Sequence, residues 1–505
     1  MRISTRHLCG PAVRGTASSV HPVPGTALRK TFCTAVRKTI PLGLGLSLLA
    51  GCASVEKVKS LVTGPSSPYL TGYIGEVAAD EPRAALVARD ILARGGDAAD
   101  AATALGLALS VTLPSRASLG AGGACLAYDA AHGDQDAILF TSVPGPGGSE
   151  ADRPAAVPML ARGLFLLQAR HGTVGFDELT RPAAALARNG ITVSRALALD
   201  LAAVSGPLLA DPATRAIFAT GADGHVPVSG DELVQSTLSE TLARIALSGV
   251  GDLYTGALSR DLVAGANAAG GGLDEGSLRA ALPTSRVPLL LHHGHEQIAF
   301  LPPPADGGLA AAAAFAALDR GQDDGVAVSE AAAAEWRSRH ARQGNGDHLT
   351  EEAQSMLSAP LPTAAGLSRL PASTSFVVLD RNGNAVTCAV SMNNLFGTGR
   401  IAGDTGILLA ASPARVPAPL LAAAIASNPS GPSFRAAVAA SGQDEAAAAV
   451  AAGMHNVLGG VPLSHPVTRT GRVNMISCPQ GLPGDSNSCA GVTDPRGAGL
   501  AIGSE

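Results

Sequence analysis

The sequence predicts an α+β protein, on two observations. Ala-rich segments with apolar residues at helical spacing fill much of the first two thirds, and β-rich runs flank an Asn-Gly pair in the last third. A third observation bounds the core: 46% of the residues are apolar but only 3% are aromatic, so Ala, Leu and Val must pack closely through small side chains. The 505 residues suffice for a large core or several domains folded together, and no internal repeat of solenoid period is present.

The first 51 residues carry seven basic side chains (Arg2, Arg6, Arg14, Arg29, Lys30, Arg37, Lys38) and no Asp or Glu. The run "IPLGLGLSLLAGC" is too short to span a bilayer but suits the core of a signal peptide. It ends in Leu49-Ala50-Gly51-Cys52, which resembles the bacterial lipobox, whose Cys is acylated and whose upstream peptide is removed. The expectation is a signal peptide over 1–51, a lipid on Cys52 and a polar tether over 52–67; a short buried helix is the rival reading of the apolar run. Loss of seven positive charges takes the net charge from −5 to −5 − 7 = −12, an acidic balance that repels phosphate backbones and argues against nucleic acid. Ala53 after Cys52 gives no aspartate-type retention signal, which points to the bacterial cell envelope and the periplasmic face of the outer membrane.

Taken in order, the elements begin with a helix over Ala84 to Leu92, stopped by Gly95-Gly96, and a second, Ala-rich helix from Ala98 to about Leu109. In "SLGAGGACLAYDA" glycines precede a short strand, where backbones can approach closely. From about Val157 to Leu318 the pattern is mostly helical, and Arg339 to Gly366 reads as an exposed connector. Then "TSFVVLD" and "AVTCAVSM" are strands, and "RNGN" between them is a hairpin signal. Three hydroxyls, Ser373, Thr374 and Ser375, therefore stand at the start of a strand directly after a connector.

A hydroxyl residue at the first position of a chain can catalyse amide chemistry alone, because its own α-amine, with a pKa near 8, takes the proton. A cut before one of the three hydroxyls would expose such a group. A Ser-His-Asp hydrolase with its site elsewhere is poorly supported, since no G-x-S-x-G elbow occurs. Among the cysteines, Cys125 and Cys388 lie in apolar strand contexts and read as buried thiols. Cys478 and Cys489 flank a Pro/Gly/Asn/Ser loop and can close a small disulfide in an oxidising compartment; two cysteines are too few for zinc.

Several stretches, in order, resemble the γ-glutamyltransferase family of N-terminal-nucleophile enzymes: "GGDAADAA", "SLGAGGACLAYD", "RHGTVGFDEL", "GDLYTGAL", "LPPPADGG", "FVVLDRNGNAV", "NNLFGTGRIAGDTGILL" and "DPRGAGLA". The resemblance implies a four-layer αββα sandwich and a precursor that cuts itself into a large portion, 68–372, and a small one, 373–505, which stay associated. It implies a small-molecule amide substrate, with glutathione or related γ-glutamyl amides as the default, and no metal or organic cofactor. The family's attacking Thr lies seven residues before the Asp matched by Asp380, which puts the nucleophile at Ser373 and the cut at Ala372–Ser373; a slip of one residue would make it Thr374. Ser391 matches a Thr that hydrogen-bonds the nucleophile, Asn393 an Asn that holds the substrate's amino-acid head, and Gly442 and Gln443 the oxyanion Gly-Gly.

Other family features are missing. No Arg lies between Arg116 and Arg153, where the carboxylate clamp belongs; "AASPAR" brings Arg415 near the expected acidic pair, and "PLLAAAIAS" replaces a Ser-Ser pair. Each such charged contact is typically worth about 2–4 kcal/mol, so altered specificity is expected. The alternative expectation is an inactive envelope lipoprotein that keeps the scaffold for binding.

Overall fold

The computed structural model describes residues 69–503 apart from 149, 221–222, 341–348, 358–371 and 462–464. The signal segment, Cys52 and the tether lie outside the described residues. Among these residues no helix is long and apolar enough to cross a membrane.

Two antiparallel sheets stack face to face. Their strands in chain order are β1 (Gly75–Ala79), β2 (Gly122–Asp129), β3 (Asp134–Phe140), β4 (Thr284–Arg286), β5 (Leu289–His293), β6 (Glu296–Phe300), β7 (Ser373–Asp380), β8 (Ala385–Ser391), β9 (Ala422–Asn428), β10 (Ser433–Ser441), β11 (Arg472–Leu482), β12 (Ala490–Thr493) and β13 (Leu500–Gly503). The first sheet runs β13-β1-β7-β8-β2-β3-β4 and the second β12-β11-β10-β9-β6-β5.

Strand alternation divides the core into three layers. Val377, Leu379, Ala389, Ile425 and Ala439 fill the space between the sheets. Phe376, Val378 and Val390 point the other way, under helices that include Ala98–Thr112. Phe300, Val438 and Met475 likewise back onto helices Asp306–Asp319, Gly325–His340 and Ala446–Leu458. The protein is thus a four-layer αββα sandwich. Small residues permit this density: the Ala98–Thr112 helix is buried at all fifteen positions. A Cβ on Gly163 would sit 2.1 Å from Cγ of Phe140, so only glycine lets its helix approach the sheet.

The first two helices, Pro82–Ala93 and Ala98–Thr112, extend the ranges expected for them, the second behind an Asp97/Asp100 capping box. Three expectations are corrected. The helical reading of 157–318 misses β4, β5 and β6, because short apolar runs such as "PLLLHH" carry no period that separates strand from buried helix. The connector contains a helix, Leu349–Met356, whose Leu349, Ala353 and Met356 are buried on the second sheet's outer face, and whose Gln354 amide bonds both backbone groups of Leu290 at 2.9 Å.

The hairpin expected at "RNGN" forms between β7 and β8. Residues 381–384 form the loop, and Oδ1 of Asp380 accepts from the Asn382 and Asn384 N–H groups at 2.8 and 3.1 Å. Its Oδ2 accepts from Ala98 N–H at 3.2 Å, tying the hairpin to a helix start. Finally, Cys125 and Cys388 are not thiols but a disulfide between cross-strand partners of β2 and β8.

Candidate active site

Ser373 opens β7 opposite Ser391, the last residue of β8. Its parity sends its side chain toward the second sheet, where β10 ends at Ser441 and a tight turn follows. Gly442 has φ +110° and Gln443 φ +56°, a left-handed pair that turns the chain into a helical segment. Gly442 tolerates no side chain, because a Cβ would lie 2.7 Å from the Thr470 carbonyl oxygen. This turn aims the Gly442 N–H at Ser373 Oγ, 3.3 Å away.

The carbonyl of the peptide bond before Ser373, and a polar atom of each neighbouring peptide group, are held by hydrogen bonds. Ala372 O accepts from Ser391 Oγ–H at 3.1 Å and from Met392 N–H at 3.2 Å. Ala372 N–H donates to Gln443 Oε1 at 3.0 Å. The carbonyl of Ser373 accepts from Arg116 Nη1 at 3.4 Å. Chemically, a hydroxyl lies beside a carbonyl whose oxygen already faces two donors, the arrangement an oxyanion needs.

Ser391 Oγ in turn accepts from Asn393 N–H at 2.9 Å. Asn393, at φ +61°, donates through Nδ2 to Ala411 O at 2.7 Å and accepts at Oδ1 from Ser142 Oγ–H at 3.2 Å. The structure therefore brings Ser373, Ser391, Gly442, Gln443 and Asn393 to one place. It directs Thr374 elsewhere: Thr374 Oγ1 donates to Asp80 Oδ2 at 3.1 Å, on the helix-facing side of β7. The other oxygen of Asp80 accepts from Asn474 Nδ2 at 2.8 Å, and that amide also reaches Ser375 O and Oγ, both at 2.9 Å.

Sequence reasoning missed Arg116, Asp80 and Asn474. Arg116 is 7% exposed and forms a two-point ion pair with Asp200, Nε and Nη2 each 2.7 Å from a carboxylate oxygen. Burial works against its charge, but the hydrogen bonds and charge of Asp200 prevail and raise its pKa. A cavity of about 670 Å³ opens here, walled by Arg116, Ser441, Gly442, Gln443 and Arg472 among others.

Where the resemblance expects a carboxylate clamp, Thr141 and Ser142 follow β3. Leu420, Leu421 and Ala422 are buried apolar residues, and Arg415 is exposed on a loop, its N–H donating to Ser412 O at 3.0 Å. Cys478 and Cys489 form a disulfide at the other end of β11, six residues from Arg472 and so about 20 Å from the site.

Fold and site together define a protein of the N-terminal-nucleophile hydrolase class. The cephalosporin acylase of Bacillus halodurans superposes with a TM-score of 0.67 at 19% identity, over 87% of this chain and 99% of that one. The sequence profile of the Gamma-glutamyltranspeptidase family matches residues 84–353, and the chain belongs to that family. It is 28% identical over 383 residues to the glutathione hydrolase proenzyme of Escherichia coli strain K12, covering 66% of this chain and 65% of that protein. The γ-glutamyltranspeptidase of Helicobacter pylori superposes with a TM-score of 0.50 at 22% identity, over 57% of this chain and 92% of that one.

Proposed function

We propose that the protein is a self-processing amidohydrolase or acyltransferase of γ-glutamyltransferase type, with Ser373 as nucleophile. One observation carries the reading: the Ala372–Ser373 bond has the Ser373 hydroxyl on one side and, at its carbonyl oxygen, the Ser391 hydroxyl and the Met392 N–H. Attack of Ser373 Oγ on the Ala372 carbonyl carbon breaks the C–N bond and leaves an ester. Water then splits that ester, releasing the Ala372 carboxylate and freeing the Ser373 hydroxyl and α-amine.

In the cut protein the α-amine takes the proton as Ser373 Oγ attacks a substrate amide. The N–H groups of Gly442 and Gln443 receive the oxyanion, and the amine departs with a proton. The acyl ester passes to water or to an acceptor amine. The engagement of Thr374 by Asp80 favours Ser373 over its neighbour.

Small-molecule amides are the substrate class, with glutathione and related γ-glutamyl amides first. Thr141 and Ala422, standing where ionic and hydroxyl contacts are expected, support altered specificity. The lipobox-like Leu49-Ala50-Gly51-Cys52 supports a lipid on Cys52 and residence at the periplasmic face of the outer membrane. The test is a reducing gel with N-terminal sequencing of the exported protein, beside Ser373→Ala and Thr374→Ala. Two fragments, the smaller beginning at Ser373 and lost in Ser373→Ala, are expected. An uncut wild-type chain overturns the mechanism.

A further inference from the structure

Both disulfides of the described residues bear on the cut, but in different ways. Cys478 and Cys489 lie 11 residues apart, on the same side of Ala372–Ser373. Cys125 and Cys388 lie 263 residues apart, on opposite sides of it. Cys125 sits in β2 and Cys388 in β8, directly opposed and fully buried beneath the helical layer.

We propose that the Cys125–Cys388 disulfide covalently joins the two chains that self-cleavage creates, so that the mature protein is one disulfide-linked molecule. As a link between chains this rests on the proposed cut; the pairing itself does not. The two thiols would lose their protons and two electrons to an oxidised dithiol carrier of an oxidising compartment, which is reduced in exchange.

Without the link, the cut protein would be a heterodimer, and recovery after unfolding would require two chains to meet. With it, refolding stays unimolecular and apparent stability does not depend on protein concentration. The bond also fixes β8 against β2 three residues before Ser391, whose own partner in β2 is Gly122.

The experiment compares reducing and non-reducing gels of the exported wild type with a Cys125→Ala/Cys388→Ala double variant. A thiol-blocked tryptic map of unreduced wild type accompanies them. Two bands with reductant and one without, in wild type, together with two bands under both conditions in the variant, are expected. Two bands without reductant in wild type overturn the proposal, as does a variant that stays in one piece unless reduced. If wild type is uncut even when reduced, the self-cleavage reading fails and the map decides the pairing. A linked Cys125–Cys388 peptide pair sustains it, and iodoacetamide label on both cysteines overturns it.

Discussion

Replacing Ser391 by alanine removes one of the two donors to the Ala372 carbonyl oxygen and leaves Met392 N–H, 3.2 Å away, as the other. The proposed attack by Ser373 would convert that oxygen into an oxyanion. Loss of one such donor typically costs about 2.7–4 kcal/mol of barrier, or about 10²–10³ in rate. The same change deprives Asn393 N–H, 2.9 Å from Ser391 Oγ, of its acceptor. A buried orphan donor of this kind costs about 1–3 kcal/mol of stability, so some fall in Tm accompanies the effect. The assay follows fragment appearance on reducing gels from freshly made precursor, with Tm measured on the same samples. Ser391→Thr, which keeps a hydroxyl, is the control for packing and should cleave far faster than Ser391→Ala. Cleavage of Ser391→Ala within about threefold of wild type would refute the reasoning, because it falls far short of the loss expected for a removed oxyanion donor.

Thr374→Val should keep self-cleavage within about tenfold while costing about 1 kcal/mol of stability, as its hydroxyl serves Asp80 rather than the cut; quantitative gels and urea midpoints check both. Arg116→Ala strands a buried Asp200 carboxylate and should lower stability by about 3–5 kcal/mol, read from the urea midpoint. Burial, then the charges of Asp100 and Asp380, push the Asp97 carboxyl up to about 7. Burial likewise pushes Glu76 up to about 7. Because both pKa values are raised above the unfolded range near 4, their contribution is fully present below pH 4 and is lost as pH rises through 7. Asp97→Asn keeps a capping side chain and should raise Tm at pH 8, by less at pH 5, and leave it nearly unchanged below pH 4, as a thermal melt series will show.

Legibility followed the range of the interactions. The helix at Ala98 declared itself through its Ala-rich composition, and β7 and β8 through β-rich runs on either side of a local Asn-Gly signal. The candidate nucleophile segment, Ser373 to Ser375, was readable because it begins a strand. What surrounds it was not. Arg116 finds Asp200 84 residues away, and Thr374 finds Asp80 294 residues away, so no window of sequence holds either pair. Met392 contributes a backbone N–H, which no side chain announces. The Cys125–Cys388 bond needed two strands to be neighbours, a fact set by sheet order rather than by either strand. The Leu349–Met356 helix is a different case: its apolar spacing was visible, but charged and polar neighbours obscured it.

The position of β1 sets a timetable for synthesis. This five-residue strand, among the first to leave the ribosome, lies between β7 and β13, and its Ala79 pairs with Phe376 on one side and Leu500 on the other. More than 400 residues separate it from its second partner, a delay of roughly 20–80 s at ordinary elongation rates. Until then one of its edges is bare, and contacts of such range make closure slow. The hydroxyl that would cut the chain is translated before the Gly442 turn that must be packed against it. Scission would therefore report that late segments have docked, acting as an inspection stamp on a finished fold. A chain stopped before Ala490, lacking β12 and β13, is expected to remain whole on a reducing gel; efficient cutting of that truncated chain would show that the stamp is issued earlier.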